Sequence, residues 1–159
     1  MMQVNCLSCG RPYPDVGVPY RCPRCGGLFD DADPLLWQDP DPSQHGIWRY
    51  WRTIARDGPR VSLGEGRTAL VRAVVDRRDV YLKCEYANPT GSFKDRGAAA
   101  IVSFLASRGV TEAVEDSSGN AGAAFAAYAA RAGIRARSSF QTMPPAPSSR
   151  RSRLTARRS

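Results

Sequence analysis

The sequence predicts an α/β protein in two parts: a small four-cysteine module, then an incomplete three-layer domain built on a parallel sheet. Three observations predict it. Two Cys-x-x-Cys pairs fall within the first 25 residues, an acidic segment with Asp-Pro pairs follows them, and from residue 79 the chain alternates strand, helix, strand, helix, strand. The length of 159 residues suits one domain of ordinary size with a small appended module.

The module spans residues 1–28. Cys6-x-x-Cys9 and Cys22-x-x-Cys25 are twelve residues apart, each pair is followed by glycine (Gly10, Gly26), and Pro23 lies inside the second. Two such knuckles suit one tetrahedral zinc ion held by four thiolates, with the glycines letting backbone amides approach the sulfurs, which reads as a zinc ribbon. A closed four-thiolate site does no chemistry; it stabilises a segment too small to bury a core of its own. The alternative for this spacing is four unliganded thiols or a redox pair. Cys84, the fifth cysteine, reads as a small buried apolar residue in a strand. Two close pairs plus a singleton argue for metal ligation in a reducing compartment over a disulfide framework.

Several function classes drop out early. No run approaches the roughly 18 to 20 apolar residues of a membrane span, and the N-terminus lacks a signal-peptide apolar core, so a cytoplasmic location with no membrane partner is expected. The net charge of +8 invites a nucleic-acid partner, but five of the 23 basic residues and none of the 15 acidic ones lie in 138–159. The body carries only +3, so the basic character belongs largely to the tail. His45 is the single histidine; in a linker it reads as a solvated or hydrogen-bonded side chain rather than a base.

Residues 29–60 read as a linker with a short helix. The Asp-Pro pairs between 29 and 46 disfavour helix before each proline, whereas Ile47 to Arg56 places Ile47, Tyr50, Trp51 and Ile54 on one face before Gly58 and Pro59 stop it. Residues 61–137 form the second domain. Asp79–Glu85 alternates as a strand, and the turn-rich loop Asn88-Pro-Thr-Gly-Ser92 leads into a helix from Phe93 to Ser107 whose apolar positions are Ala100, Ile101, Phe104 and Leu105. Gly109 stops it, Val110–Glu115 is a second strand, Ala121–Ala132 an alanine-rich helix ended by Gly133, and Ile134–Arg137 a third strand. Ligands of such parallel sheets sit at loops leaving the carboxyl ends of strands, and both loops here are expected to leave such ends.

Lys94 stands at a strand-to-helix junction in N-P-T-G-S-F-K-D-R-G. To act as a Schiff-base nucleophile it needs a depressed pKa, which partial burial beside Phe93 and the nearby cation Arg96 would supply. Asp95 is expected to pair with a cation or to cap the helix. The competing reading is an ordinary surface lysine in a first helical turn. Ser117-Ser118-Gly119-Asn120-Ala121-Gly122 opens the second helix, where free amides and the helix dipole favour anions, and Asn120 can offer its amide to a ring hydroxyl or a carboxylate. Leu63-Gly64-Glu65-Gly66-Arg67-Thr68 is a third glycine-rich turn, whose simplest reading is a chain reversal.

Taken together, L-G-E-G-R-T-A-L, N-P-T-G-S-F-K-D-R-G and E-D-S-S-G-N-A-G, in that order behind the four-cysteine module and G-I-W-R-Y, resemble the N-terminal part of the threonine synthase family over residues 1–137. That family belongs to the fold type II pyridoxal-phosphate enzymes. One departure is Ala69, where the family usually has proline. The resemblance implies pyridoxal 5'-phosphate as cofactor beside structural Zn2+, with Lys94 as the Schiff-base lysine and proton shuttle and Asn120 bonded to the cofactor's phenolic oxygen. It implies that Ser117, Ser118, Gly119 and Ala121 hold the substrate carboxylate, while Thr90 and Ser92 shape the site beside the lysine. The implied reaction converts O-phospho-L-homoserine and water to L-threonine and phosphate, and a homodimer is expected of the intact enzyme. Rival readings are another fold type II lyase, such as a cysteate synthase or threonine dehydratase, and a zinc-ribbon nucleic-acid-binding protein with a basic tail.

The resemblance stops after Arg137. Residues 138–159 have no hydrophobic period and read as a disordered basic tail. Codons compatible with that tail, read from their third base, permit V-F-P-D-D-A-P-R-A-K-L-A-Q-I-E-A-Y-G-A-E-V, which resembles the family's next segment. The expectation is therefore a truncated enzyme with an out-of-frame tail, lacking the family's cofactor-phosphate loop and pyridine-nitrogen partner, and inactive as it stands.

Overall fold

Alanine and glycine decide how closely the two long helices approach, and that approach organises the second domain. In the computed structural model, residues 4–34, 36–54, 58–117 and 119–138 are described. Ser118 and the tail expectation over 139–159 lie outside them.

The strands are β1 (Val4–Cys6), β2 (Phe29–Asp31), β3 (Leu70–Val75), β4 (Arg78–Lys83), β5 (Glu112–Glu115) and β6 (Arg135–Ser138). The helices are α1 (Trp51–Ile54), α2 (Lys94–Ser107) and α3 (Asn120–Arg131), with 3-10 turns at Gly46–Tyr50 and Glu85–Ala87. Helices α2 and α3 meet through Ala98, Ala99 and Val102 on one side and Ala124, Phe125 and Tyr128 on the other, all buried. Small side chains let the backbones come close, and each larger one buried contributes about 1.5–3 kcal/mol. Beneath them β5 and β6 pair in parallel, Glu112 opposite Arg135, with Ala113 and Ala136 against the core.

Three expectations change. The strand at 79–85 does not join the parallel sheet: it is the second arm of an antiparallel hairpin, β3–β4, with Val75 opposite Arg78. The loop it feeds, which carries Lys94, therefore does not leave the carboxyl end of a parallel strand. Asp76 and Arg77 make the two-residue turn, both at positive φ (48° and 63°), the geometry that closes a hairpin tightly. The parallel sheet among the described residues is two-stranded, β5 and β6.

On α2 the buried positions are Asp95, Ala98, Ala99, Val102 and Ser103; of the expected apolar positions Leu105 packs half-buried against the core, whereas Ile101 is 54% exposed. Phe104 turns away from the α3 interface to meet Tyr13 of the cysteine module, ring centroids 6.1 Å apart. The Arg108 guanidinium stacks over both rings and donates to the Pro14 carbonyl at 2.8 Å, so the module is latched to the end of α2.

In the short helical segment Ile47, Trp48 and Thr53 are buried and Trp51 packs half-buried against the core, whereas Ile54 is exposed, so the expected face is only partly kept. The first turn is 3-10, with three residues per turn, which shifts the phase of everything after it. The linker folds back onto this segment. Asp41 accepts from Trp51 Nε1 at 3.0 Å, and Thr53 Oγ1 accepts the Gln38 amide at 2.9 Å. In the module, β1 and β2 pair antiparallel from Val4–Asp31 to Cys6–Phe29, which carries its small sheet to Asp31.

Candidate active site

Lys94 is the first residue of α2. The chain reaches it through a tight turn in which Gly91, at φ 84°, donates its amide to the Asn88 carbonyl at 2.8 Å. Ser92 is buried, and its Oγ accepts the Lys94 amide at 3.3 Å. The Lys94 side chain is exposed, its Nζ 5.0 Å above the ring of Phe93, which is itself 57% exposed. The expected partial burial beside Phe93 is therefore absent.

Arg96 does not serve as a free cation beside the lysine. Its Nε and Nη2 bind the two oxygens of Glu85, each at 2.8 Å. Glu85 also accepts from Thr68 Oγ1 at 2.8 Å and Asn88 Nδ2 at 3.0 Å. Arg96 first, then these neutral donors, hold the Glu85 carboxyl down at about 2. Asn88 is buried and its Oδ1 accepts the Gly66 amide at 2.9 Å, which joins the lysine turn to the 63–68 turn.

That 63–68 turn is more than a reversal. Glu65 is fully buried; its Oε2 accepts from Ser62 Oγ and the Leu63 amide, both at 3.0 Å, and from Tyr128 OH at 2.9 Å. Asp95, also fully buried, pairs with no cation among the described residues: it accepts the Thr90 amide at 2.8 Å and the Thr90 hydroxyl, and lies 3.4 Å from Tyr128 OH. Burial first, then Glu65 and Asp95, push the Tyr128 phenol up, so it stays a neutral donor. Spacing did not single out this trio as functional. Its signals were present: a carboxylate between two glycines, and one tyrosine in an otherwise alanine-rich helix.

Asn120 is exposed at the first position of α3, and Gly119 precedes it at φ 80°. Among the described residues, a Cβ added at Gly119 would meet nothing within 4 Å. Ala121 is half-buried and Ser117 is described but Ser118 is not. Tyr128 lies about 12 Å along the helix axis from Asn120. Its hydroxyl reaches Asp95, the second residue of α2.

The four cysteines of the module converge, their sulfurs all within 4.8 Å of one another. Cys6 and Cys25 are 3.5 Å apart, Cys9 and Cys22 3.8 Å. A tetrahedral ion with sulfur bonds near 2.3 Å requires sulfurs ~3.8 Å apart, so the donor set fits zinc. The Arg24 amide, aimed at Cys22 Sγ, brings that thiol down to about 7, which favours the thiolate. Matching amide contacts, Gly10 to Cys6 and Gly26 to Cys22, each 2.8 Å to the carbonyl, close the two knuckles alike.

A glycine-rich turn beside a lysine-bearing helix start, with a second helix opening on Ser-Gly-Asn, defines a candidate cofactor-binding α/β enzyme. The pyridoxal-phosphate dependent enzyme family matches residues 61–156, and the chain belongs to that family. Its relatives are threonine synthases. That of Methanosarcina acetivorans is 32% identical over 149 residues, covering 84% of this chain and 36% of the relative. The Methanocaldococcus jannaschii enzyme is 35% identical over 146 residues, covering 83% and 36%, and the Halalkalibacterium halodurans enzyme 42% over 92 residues, covering 55% and 26%. The chain thus spans about a third of the length of these relatives. No helix among the described residues is long and apolar enough to cross a membrane.

Proposed function

We propose that this chain carries the lysine-bearing third of a threonine synthase. In the intact enzyme, O-phospho-L-homoserine and water become L-threonine and phosphate. The carbon–oxygen bond at Cγ breaks, phosphate leaves with the electron pair, water's hydroxyl joins Cβ, and Cγ ends as a methyl group with no net oxidation. The observation that carries the reading is the place of Lys94 as the first residue of α2, in the decapeptide the family resemblance rests on.

Pyridoxal phosphate supplies, when bound, a carbonyl for that amine and an electron sink for deprotonation next to it. In this reading Lys94 binds the cofactor and serves as the proton shuttle, taking protons from Cα and then Cβ and returning them at Cγ and Cα. Asn120 donates its amide to the cofactor's phenolic oxygen. The start of α3, with Ser117, Ser118, Gly119 and Ala121, takes the substrate carboxylate through backbone amides and hydroxyls. Thr90 and Ser92 shape the wall beside the lysine, Ser92 from a buried position. Cys6, Cys9, Cys22 and Cys25 hold a structural zinc ion away from this chemistry.

The test grafts residues 1–137 onto the remainder of the Methanosarcina acetivorans threonine synthase. Phosphate and threonine release from O-phospho-L-homoserine is expected from the graft, with complete loss in Lys94→Ala and none from the 159-residue chain alone. A graft that instead deaminates threonine, or forms cysteate, contradicts the substrate assignment and favours the rival lyases.

A further inference from the structure

Three segments far apart in sequence meet at one phenolic hydroxyl. Tyr128 OH lies 2.9 Å from Glu65 Oε2 and 3.4 Å from Asp95 Oδ2, and all three side chains are fully buried. Glu65 Oε1 is buried with no partner among the described residues, so the phenol and the local turn donors together satisfy only one of its oxygens. Arg96, whose charge interacts with that of Glu65, is already bound to Glu85. Keeping two carboxylates in an apolar core costs stability unless they do something a leucine would not.

What they hold is the turn before the lysine. Asp95, the neighbour of Lys94, takes both the amide and the hydroxyl of Thr90, so the loop from Thr90 to Lys94 is tied shut across its own base. The Tyr128 hydroxyl has one proton to give and shares it between Glu65 and Asp95, so it bounds the far side of the Asp95 carboxylate from α3 while Glu65 holds it from the 63–68 turn. We propose that Glu65, Tyr128 and Asp95 are positioning residues that set the attitude of the Lys94 amine. They act through Thr90 and touch neither cofactor nor substrate. The proposal rests on the assignment of Lys94 as the Schiff-base lysine.

The sequence makes the test clean, because Lys83 and Lys94 are the only lysines. Lys83 serves as the internal control: its Nζ is tied to the Thr68 carbonyl. The purified chain is treated with pyridoxal 5'-phosphate. A lysine amine adds to the aldehyde with loss of water, and borohydride then delivers hydride to the carbon–nitrogen double bond, leaving a stable secondary amine. Peptide mass spectrometry gives the Lys94 to Lys83 ratio, and hydrogen exchange gives the protection of the Thr90 amide.

Tyr128→Phe keeps the ring and removes the hydroxyl. Both readouts are expected to fall about ten-fold, the loss of one hydrogen bond to a charged group. The zinc content stays unchanged. Glu65→Gln keeps an acceptor for the phenol and is expected to retain both. Unchanged Thr90 exchange in Tyr128→Phe would overturn the clamp. Faster exchange with an unchanged labelling ratio would reduce it to a structural tie and overturn the positioning role, as would equal losses in Tyr128→Phe and Glu65→Gln. Equal labelling of the two lysines in the unaltered chain contradicts the Schiff-base reading instead, and the clamp is then decided by Thr90 exchange alone. If Tyr128→Phe does not fold, Asp95→Asn, which leaves Thr90 one acceptor in place of two, carries the same expectations.

Discussion

Arg96 grips Glu85 through two nitrogens, each 2.8 Å from a carboxylate oxygen, and this bond spans the turn that presents Lys94. The pair is partly sheltered, with side-chain exposures of 33% and 25%. Its consequence is a pH dependence. Glu85 falls from an ordinary value of 4.5 to about 2, chiefly through Arg96. A carboxyl depressed in the folded state contributes fully above its unfolded value and loses that contribution as pH falls through the folded one. Denaturant unfolding followed from pH 6 to pH 2 should therefore show ~2 kcal/mol lost below about pH 4.5. In Glu85→Gln most of that slope should be gone, and an unaltered slope would assign it elsewhere.

The cysteine module should bind one zinc ion per chain. The knuckle sulfurs already stand at distances that suit tetrahedral zinc, and metal affinity at such sites is folding free energy. Chelation is expected to melt β1 and β2 and release Tyr13 from Phe104, while α2 and α3 persist. Elemental analysis with near-ultraviolet circular dichroism reads both. Cys22→Ser should lose the metal; a metal-free chain with an unchanged spectrum would contradict the site.

Two glycines should respond oppositely to alanine. At Gly46, with φ 58°, a Cβ would overlap the Glu65 carbonyl oxygen, because the 46–47 backbone crosses the 63–66 turn in direct contact. Gly46→Ala should cost roughly 3 kcal/mol or more. Gly97 lies within α2 with nothing within 4 Å of an added Cβ, so Gly97→Ala should gain about 0.5–1 kcal/mol. Thermal unfolding of both variants checks the pair.

The β3–β4 turn carries arginine where glycine costs least. Arg77 sits at φ 63°. Arg77→Gly should stabilise the hairpin by about 1 kcal/mol, since glycine reaches that region without steric cost. A loss of stability on denaturant unfolding would contradict this account of the turn.

Helix α3, strands β5 and β6 and the cysteine cluster were legible because each rests on a local rule: a 3.6-residue period, glycine stops, or ligand spacing. The β3–β4 hairpin was not. Leu70–Val75 is rich in β-branched residues, but its turn, Asp76-Arg77, lacks the glycine that announces a two-residue hairpin, so the strand at 79–85 was assigned to the wrong sheet. On α2 the apolar period marks Ala100, Ile101, Phe104 and Leu105, whereas close helix contact selects the small residues beside them, Ala98 and Ala99, with Val102. The neighbours of Lys94 were read by sequence adjacency, and tertiary contacts reassigned both: Arg96 to Glu85, and Asp95 to Thr90 and Tyr128. Spacing cannot reveal such pairings, because the Glu65–Tyr128 bond joins residues 63 positions apart.

The central claim is that Lys94 is the lysine that receives pyridoxal phosphate. The most direct measurement treats the unaltered 159-residue chain with stoichiometric pyridoxal 5'-phosphate and borohydride, then maps the modified lysine by peptide mass spectrometry. The account predicts label on Lys94 well in excess of Lys83. Label shared evenly between the two, or concentrated on Lys83, would contradict it.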